Sequence, residues 1–434
     1  MIELFEQYGY NKTGFLDITA EQHNRLQVLT KPFRKTYRRR WDDATCLLVQ
    51  FDEQKDRFLF ETSYFIGVDW IIPNEQPVFV QPKLNDNDNN VDFLSMLFEA
   101  LEETENYEHL DRLFQVDFNS PAIRIKQEQD ILTPFLVVEY LQLLKQIVRK
   151  GLKKSYYRVT DNLEARVKGK ILINQTILQN IKKGTITNTA CQFDVFGMDS
   201  LENRILNKAL RIAIQLLPSL RHQKISALES IIAYIAPAFE GVAEDVDINQ
   251  IKQFSLNPIY KEYERALKIA ICLLKRRGYN QNNLSKSEVV TPPYWIDMSK
   301  LFELYVFKKL REIFPRRNEV MYHLKSNYQE IDFLINSPEN GVQMVVDAKY
   351  KPRYKNHMVC VDDIRQVCGY ARMKKVYDML GLDYSNVIDC MIIYSHQDCP
   401  SSFSQDKFKS SSENDNYVRF CKMGLKLPCN RYVN

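Results

Sequence analysis

Glu330-Ile-Asp-Phe-Leu-Ile335, the turn Asn336-Ser-Pro-Glu-Asn-Gly341 and the run Val342-Gln-Met-Val-Val-Asp-Ala-Lys-Tyr350 decide how the last third of this 434-residue chain is read. Charged and apolar residues alternate in the first segment, as on a half-buried strand. Side chains alternate faces along a strand. Glu330, Asp332 and Leu334 therefore share one face of the first strand. Gln343, Val345, Asp347 and Lys349 share one face of the second. Pairing Ile335 with Val342 sets Asp332 opposite Val345 and Glu330 opposite Asp347. A tighter turn at Asn340-Gly341 sets Asp332 opposite Lys349. Either register gathers acids and a lysine on a common face.

Working outward, Asp297 is a cap for a helix from Met298 to about Ile313, stopped by Pro315. A helix is expected over Asp362–Leu380 and a buried strand over Val387–Tyr394. Helix, hairpin, helix, strand is the order of a small α/β sandwich with a mixed sheet. Glu303 sits in Leu301-Phe-Glu-Leu-Tyr-Val306, where an unpaired charge in an apolar helix is costly. Gln366 and Tyr370 lie four apart and share a helix face. Lys349-Tyr-Lys-Pro-Arg-Tyr-Lys355 follows the acids at once, and Lys351, Arg353 and Lys355 suit phosphate contacts.

The chemistry such a set serves is phosphodiester hydrolysis. Mg²⁺ is a hard cation that takes oxygen ligands, and Mn²⁺ is an alternative. Asp332 and Asp347 are the candidate metal ligands, from adjacent strands. Lys349 points the same way as Asp347 and can neutralise charge that develops on the phosphate. On its own, Asp347-Ala-Lys349 reads more readily as an exposed ion pair. Glu303, Gln366, Tyr370 and the basic run are what favour the catalytic reading.

Upstream, residues 1–125 read as short strands with few helices, among them Thr45–Phe51 and Pro77–Pro82. Asn85–Asn90 is a polar turn, and a helix is expected from about Val91 to Glu103. Residues 31–40 carry six basic side chains. They form either a solvated loop or an arm, with Arg34, Arg38 and Arg39 touching phosphate or an acidic partner. Residues 126–290 are mainly helical, with helices over Ile131–Val148, Leu201–Leu217 and Tyr260–Leu274. Arg166–Ile171 and Thr185–Thr189 break that pattern as an extended arm. Ser285–Pro293 reads as a linker. The expected fold is therefore multidomain α+β: a β-rich domain (1–125), a helical middle domain with an arm (126–290) and a C-terminal α/β domain (291–434).

Composition excludes several classes. Hydrophobic residues make up 45% and charged residues 26%, as in ordinary globular chains. A net charge of +4 is too small to mark a nucleic-acid binder, so such binding must come from local patches. Nine cysteines without a C-x-x-C pair argue against a secreted disulfide framework or a zinc ribbon. No apolar run approaches a membrane span, and Met1–Glu6 lacks the start of a signal peptide. A cytoplasmic protein is the expectation.

Asp332, Asp347-Ala-Lys349 and Gln366-Val-Cys-Gly-Tyr370 together resemble the PD-(D/E)xK nuclease superfamily, including the Q-x-x-x-Y helix of its RecB-like members. The chain more specifically resembles the McrC family. The motifs that carry this are Gly151-Leu-Lys-Lys, Arg166-Val-Lys-Gly-Lys-Ile171, Cys191-Gln-Phe-Asp194, Asp199-Ser-Leu-Glu-Asn-Arg-Ile205 and Asp297-Met-Ser-Lys-Leu-Phe-Glu303, in that order over residues 135–395. Two departures stand out. Arg166-Val-Lys-Gly-Lys170 replaces the usual Arg-Gly-Arg. Glu330-Ile-Asp332 replaces Pro-Asp, which leaves Glu330 as a possible contributor beside Asp332.

The resemblance implies a restriction-endonuclease-like C-terminal domain with Asp332, Asp347, Lys349, Glu303, Gln366 and Tyr370 at its site. It implies docking on a McrB-like AAA+ GTPase or ATPase hexamer and stimulation of its nucleotide hydrolysis. It implies cleavage of double-stranded, modified DNA. Arg34, Arg38, Arg39, Arg166, Lys168 and Lys170 are the candidate partner contacts. The sequence has no G-x-x-x-x-G-K-[ST], so the nucleotide is expected on the partner. Two other readings stay open: a non-catalytic activator of an AAA+ partner, and a stand-alone repair nuclease.

Overall fold

The computed structural model describes residues 1–9, 14–38, 43–82, 89–110, 113–126, 130–220, 226–246, 261–282, 288–326, 329–350, 360–409 and 417–431. The protein is a mixed α/β chain of two compact units. One is Met1–Ile131 together with Val290–Asn434; the other is Leu132–Val289.

In the first unit, Asp43–Asp52 is the centre of a three-stranded antiparallel sheet with Phe33–Arg38 and Arg57–Thr62. A five-stranded sheet runs in the order Ile2–Phe5, Gln76–Gln81, Phe65–Ile72, Tyr294–Asp297, Phe114–Val116. Residues 1–125 and 291–434 were expected as separate domains. They form one unit because Tyr294–Asp297 is hydrogen-bonded between two N-terminal strands. Trp295 is buried in the N-terminal core beside Leu47, Phe60 and Val80. Its Nε1 donates to Asp69 Oδ2 at 2.7 Å, and Lys35 Nζ pairs with the same oxygen at 2.9 Å. The expected linker Ser285–Pro293 contains a strand instead, Glu288–Thr291.

The C-terminal sheet has five strands in the order Val320–Ser326, Gln329–Ser337, Val342–Lys349, Asp389–Ser395, Phe420–Leu425. The first two pairings are antiparallel and the last two parallel. Antiparallel neighbours can be joined by a tight turn, whereas parallel ones need a crossover. Here the crossover from Val342–Lys349 to Asp389–Ser395 includes helices Val361–Tyr370 and Lys374–Leu380.

One helix was expected over Asp362–Leu380. Met373 is extended (ψ 126°) and restarts the helix. Val367, Tyr370, Val376, Tyr377 and Leu380 bury in one core on both sides of that break, so apolar periodicity does not reveal it. The helix Met298–Ile313 begins where expected, with Asp297 Oδ1 accepting from the Lys300 N–H at 3.2 Å. The helix near Val91 is shorter than expected. It spans Phe93–Ala100, capped by Asp92, and a 3-10 turn Thr104–His109 follows.

The second unit has helices Leu132–Lys150, Leu201–Leu216, Ser226–Ile235 and Lys261–Asn282. Its arm is a sheet in which Ser155–Glu164 pairs along ten residues with Asn188–Gly197, and Lys170–Ile171 adds a short third strand. Gly169 has φ 67°, and a Cβ there would meet Gln192 O at 2.4 Å, so the arm needs glycine at this point. The residues of Asp199–Ile205 brace the arm's base. Ser200 caps the next helix, Asp199 pairs with Arg204, and Glu202 pairs with Lys153 at 2.8 Å. Asn203 Nδ2 donates to Lys153 O and Met198 O at 2.9 and 2.7 Å.

Candidate active site: carboxylates and a lysine on a mixed sheet

The acid hairpin pairs Ser337 with Val342, Leu334 with Val345 and Phe333 with Val346. The expected pairing of Ile335 with Val342 is corrected by two residues, because the reversal is a 3-10 turn over Pro338–Asn340 closed by left-handed Gly341. Asp332 and Asp347 are the next residues on the two strands, just past the last pair, Phe333 with Val346. A slip of two residues leaves every side chain on its face, so the shared face survives the changed register.

Asp332 Oδ2 accepts the Ala348 N–H at 2.8 Å. Asp347 is fully buried, and its Oδ2 lies 2.8 Å from Lys349 Nζ. Lys349 Nζ also donates to Gln366 Oε1 at 2.9 Å, and Gln366 Nε2 donates to Tyr370 Oη at 2.7 Å. Glu303, Glu330, Asp332, Lys349 and Gln366 line one cleft of about 720 Å³. Tyr370 reaches this group through Gln366, from the core beneath the helix.

The electrostatics are those of two acids forced together. Burial, then the charges of Asp347 and Glu303, push the Asp332 carboxyl well above its ordinary range. Burial also raises Asp347, against the pull of Lys349. Burial works against the Lys349 ammonium, but Asp347 and Asp332 hold its pKa above the ordinary value. Glu303 goes the other way. Burial would raise it, but the hydrogen bond and charge of His323, with Lys300 and Lys349, hold it below its ordinary value.

A divalent cation fits this donor set. Asp347 Oδ1 is buried with no hydrogen-bond partner among the described residues. Such an atom is costly unless a cation or water meets it. Among the described residues, no group of three or more His, Cys, Asp and Glu side chains could hold a metal ion. One or two carboxylates with the remaining positions left to water and substrate phosphate is how Mg²⁺ is commonly bound.

Several residues enter that the sequence did not single out. His323 lies between Glu303 and Glu330, at 3.1 and 3.3 Å. Tyr322 Oη donates to Glu303 Oε2 at 3.3 Å. His109 joins from the 3-10 turn Thr104–His109, with its ring edge-on to Tyr322 at 4.6 Å. Burial and the neighbouring charges of His323, Lys300 and Lys325 push His109 down to about 4, so it is neutral at physiological pH. The only signal in the sequence was position: His323 sits on the segment just before the acid strand.

Other expected contacts lie elsewhere. Arg34 and Arg38 are exposed on one face of Phe33–Arg38, while Lys35 and Tyr37 turn inward. Neither arginine lines the cleft. Arg166, Lys168 and Lys170 are exposed on the arm, with Lys168 Nζ 4.4 Å from the Phe193 ring centroid. Arg39, Lys351, Arg353 and Lys355 fall outside the described residues.

Fold and site together define a multidomain α/β protein with a carboxylate–lysine cleft on a mixed sheet. A comparison with protein families matches residues 65–382, well over half of the chain, to the McrBC 5-methylcytosine restriction system component. The chain belongs to that family. No curated protein matches it. Among solved structures it is similar to a refined half-complex from a tetradecameric assembly of Thermococcus gammatolerans McrB AAA+ hexamers with bound McrC. The identity is 15%, the TM-score 0.40, and the match covers 98% of this chain and 94% of that one. It is also similar to the cryo-EM structure of the Thermococcus gammatolerans McrBC complex, at 14% identity and TM-score 0.28, covering 73% and 89%.

Proposed function

We propose that this chain is the DNA endonuclease subunit of a McrBC-like restriction complex, acting against foreign, modified DNA in the cytoplasm. Its C-terminal sheet is the PD-(D/E)xK nuclease core. The observation that carries this reading is that Asp332 and Lys349 line one cleft, with the buried Asp347 paired to Lys349 directly behind it, in a chain of this family.

Asp332 and Asp347 hold Mg²⁺, with Mn²⁺ as substitute. The bound ion supplies charge neutralisation at the phosphate and a more acidic water. Lys349 offsets the negative charge that grows on the non-bridging oxygens. Gln366 keeps the ammonium aimed, and Tyr370 keeps Gln366 aimed. Glu303 faces the same cleft from the helix and orients water or ion. Lys351, Arg353 and Lys355 follow directly in sequence and contact the DNA backbone.

The arm docks on the partner, a McrB-like AAA+ ring that hydrolyses GTP or ATP, and stimulates that hydrolysis. Tyr156 and Phe196 are direct cross-strand partners with ring centroids 5.1 Å apart, yet they are 76% and 59% exposed. Ile173 and Ile186 on the arm are 67% and 79% exposed. Exposed apolar groups at both ends of the arm suit an interaction surface. Arg166, Lys168 and Lys170 are exposed on the same arm, with Arg34, Arg38 and Arg39 as further candidate contacts.

The test is reconstitution by omission. The chain, the AAA+ partner, nucleotide, Mg²⁺ and methylated DNA are combined, and each is left out in turn. Double-strand cleavage is expected only in the full mixture. Cleavage by the chain alone would mean a stand-alone nuclease. Nucleotide turnover without any cleavage would mean a non-catalytic activator.

A further inference from the structure

His323 lies on the edge strand Val320–Ser326 with a left-handed backbone, φ 54°. Residues with side chains rarely adopt that conformation, and such outliers concentrate at functional sites. The strand register is unbroken around it, with Tyr322 opposite Phe333 and Leu324 opposite Ile331. The local twist therefore changes where one side chain points without moving the strand.

Its consequence is that both ring nitrogens face carboxylates. Nε2 is 3.1 Å from Glu303 Oε2, and Nδ1 is 3.3 Å from Glu330 Oε1. The ring packs on Tyr322 with centroids 3.8 Å apart, and His109 stands 5.9 Å away. One imidazole thus ties together the helix Met298–Ile313, the edge strand and the acid strand. Glu303 lines the same cleft as Asp332 and Lys349, and its carboxylate is contacted by His323 and Tyr322. The contacts from His323 and Tyr322 both land on Oε2 and leave Oε1 uncommitted by either.

We infer that His323 is a positioning residue for the cleavage reaction: braced by Glu330, it holds the Glu303 carboxylate in the cleft beside Asp332 and Lys349. This rests on the nuclease reading above. His323 acts through Glu303 and need not touch DNA or metal.

The test uses the full complex with partner, nucleotide, Mg²⁺ and modified DNA, comparing wild type, His323→Ala, His323→Gln, Glu303→Ala and the Glu303→Ala/His323→Ala double variant. His323→Ala is expected to slow single-turnover cleavage by roughly ten- to hundred-fold, as loss of a supporting hydrogen bond does at metal sites. The DNA concentration for half-maximal rate should not move. His323→Gln, which keeps one donor, should recover part of the rate. The double variant should be no slower than Glu303→Ala, since the two act as one unit. Should His323→Ala lower the thermal midpoint, the Gln variant carries the comparison. A wild-type rate in His323→Ala, or losses that multiply in the double variant, would overturn the inference while leaving the nuclease reading intact. A wild-type complex that hydrolyses nucleotide but never cuts would overturn both.

Discussion

Gln366 holds Lys349: its Oε1 accepts from the ammonium at 2.9 Å, on the side away from Asp347 Oδ2 in the hydrogen-bond chain that ends at Tyr370. The lysine is thereby fixed by one charged and one neutral partner. Replacing Gln366 with Leu leaves the acid pair intact but releases the ammonium. Cleavage should fall by about ten- to hundred-fold, the usual cost of a lost supporting contact. The thermal midpoint and nucleotide turnover by the complex should stay at wild-type values. Single-turnover kinetics beside a melting curve checks this.

The raised pKa of Asp332 makes a prediction about pH. Its folded value lies well above its ordinary one, through burial and the charges of Asp347 and Glu303. A group raised in the folded state contributes stability that is complete below its unfolded value and lost as pH rises through its folded value. The metal-free protein should therefore lose stability across that interval, and Asp332→Asn should remove this part of the pH dependence. Millimolar Mg²⁺ should restore stability above the interval and do little below it. Ligand at a hundred times its dissociation constant stabilises by about 2.7 kcal/mol. Thermal midpoints from about pH 3 to 8, starting below the ordinary Asp value near 4, with and without Mg²⁺, measure both effects. A wild-type profile parallel to that of Asp332→Asn would contradict the account.

The arm's base carries the opposite sign. Burial opposes the Asp199 and Glu202 charges, but bonds from Arg204 and from Lys153 hold both carboxyls below their ordinary values. Their stabilisation is present above the unfolded values near 4 and is lost as pH falls through the lower folded ones. Acidification should release the arm, and Asp199→Asn should already be weakened at neutral pH. Hydrogen exchange of residues 155–164 reports the arm directly.

Lys35 and Arg34 are neighbours with different jobs. Lys35 faces Asp69, whose side chain is only 4% exposed and also accepts from Trp295. Lys35→Met removes the cation from a buried carboxylate that keeps its bonds from Trp295 and the Trp70 N–H, and should cost about 1–3 kcal/mol. Arg34 is exposed, so Arg34→Glu should change stability by less than about 0.5 kcal/mol and act, if at all, on partner-stimulated nucleotide hydrolysis. Denaturant unfolding of the two variants separates the roles.

What was legible in the sequence was local. Asp297 as a cap and the shared face of Asp332, Asp347 and Lys349 follow from short-range rules of capping and alternation, and both stand in the structure. The cost of a lone acid in an apolar helix flagged Glu303, and a helical repeat of four paired Gln366 with Tyr370. What was illegible is tertiary. The insertion of Tyr294–Asp297 into the N-terminal sheet hides behind Pro292-Pro293, which reads as a linker. Val320–Ser326 escaped notice because Val-Met-Tyr-His-Leu-Lys-Ser does not alternate apolar and polar residues, and the left-handed His323 that brings the imidazole to the site leaves no mark in the sequence. Phe420–Leu425 pairs in parallel with a strand some thirty residues earlier, and no turn signal announces such a partner. His109 reaches the cleft from more than two hundred residues away.

The most direct measurement follows DNA cleavage and nucleotide hydrolysis in one reaction of the assembled complex, with wild type and Asp347→Asn side by side in Mg²⁺. The variant is expected to keep nucleotide turnover at the wild-type rate while strand cleavage drops by about a thousand-fold or more, the scale of lost transition-state charge stabilisation. Cleavage by Asp347→Asn at the wild-type rate would contradict this.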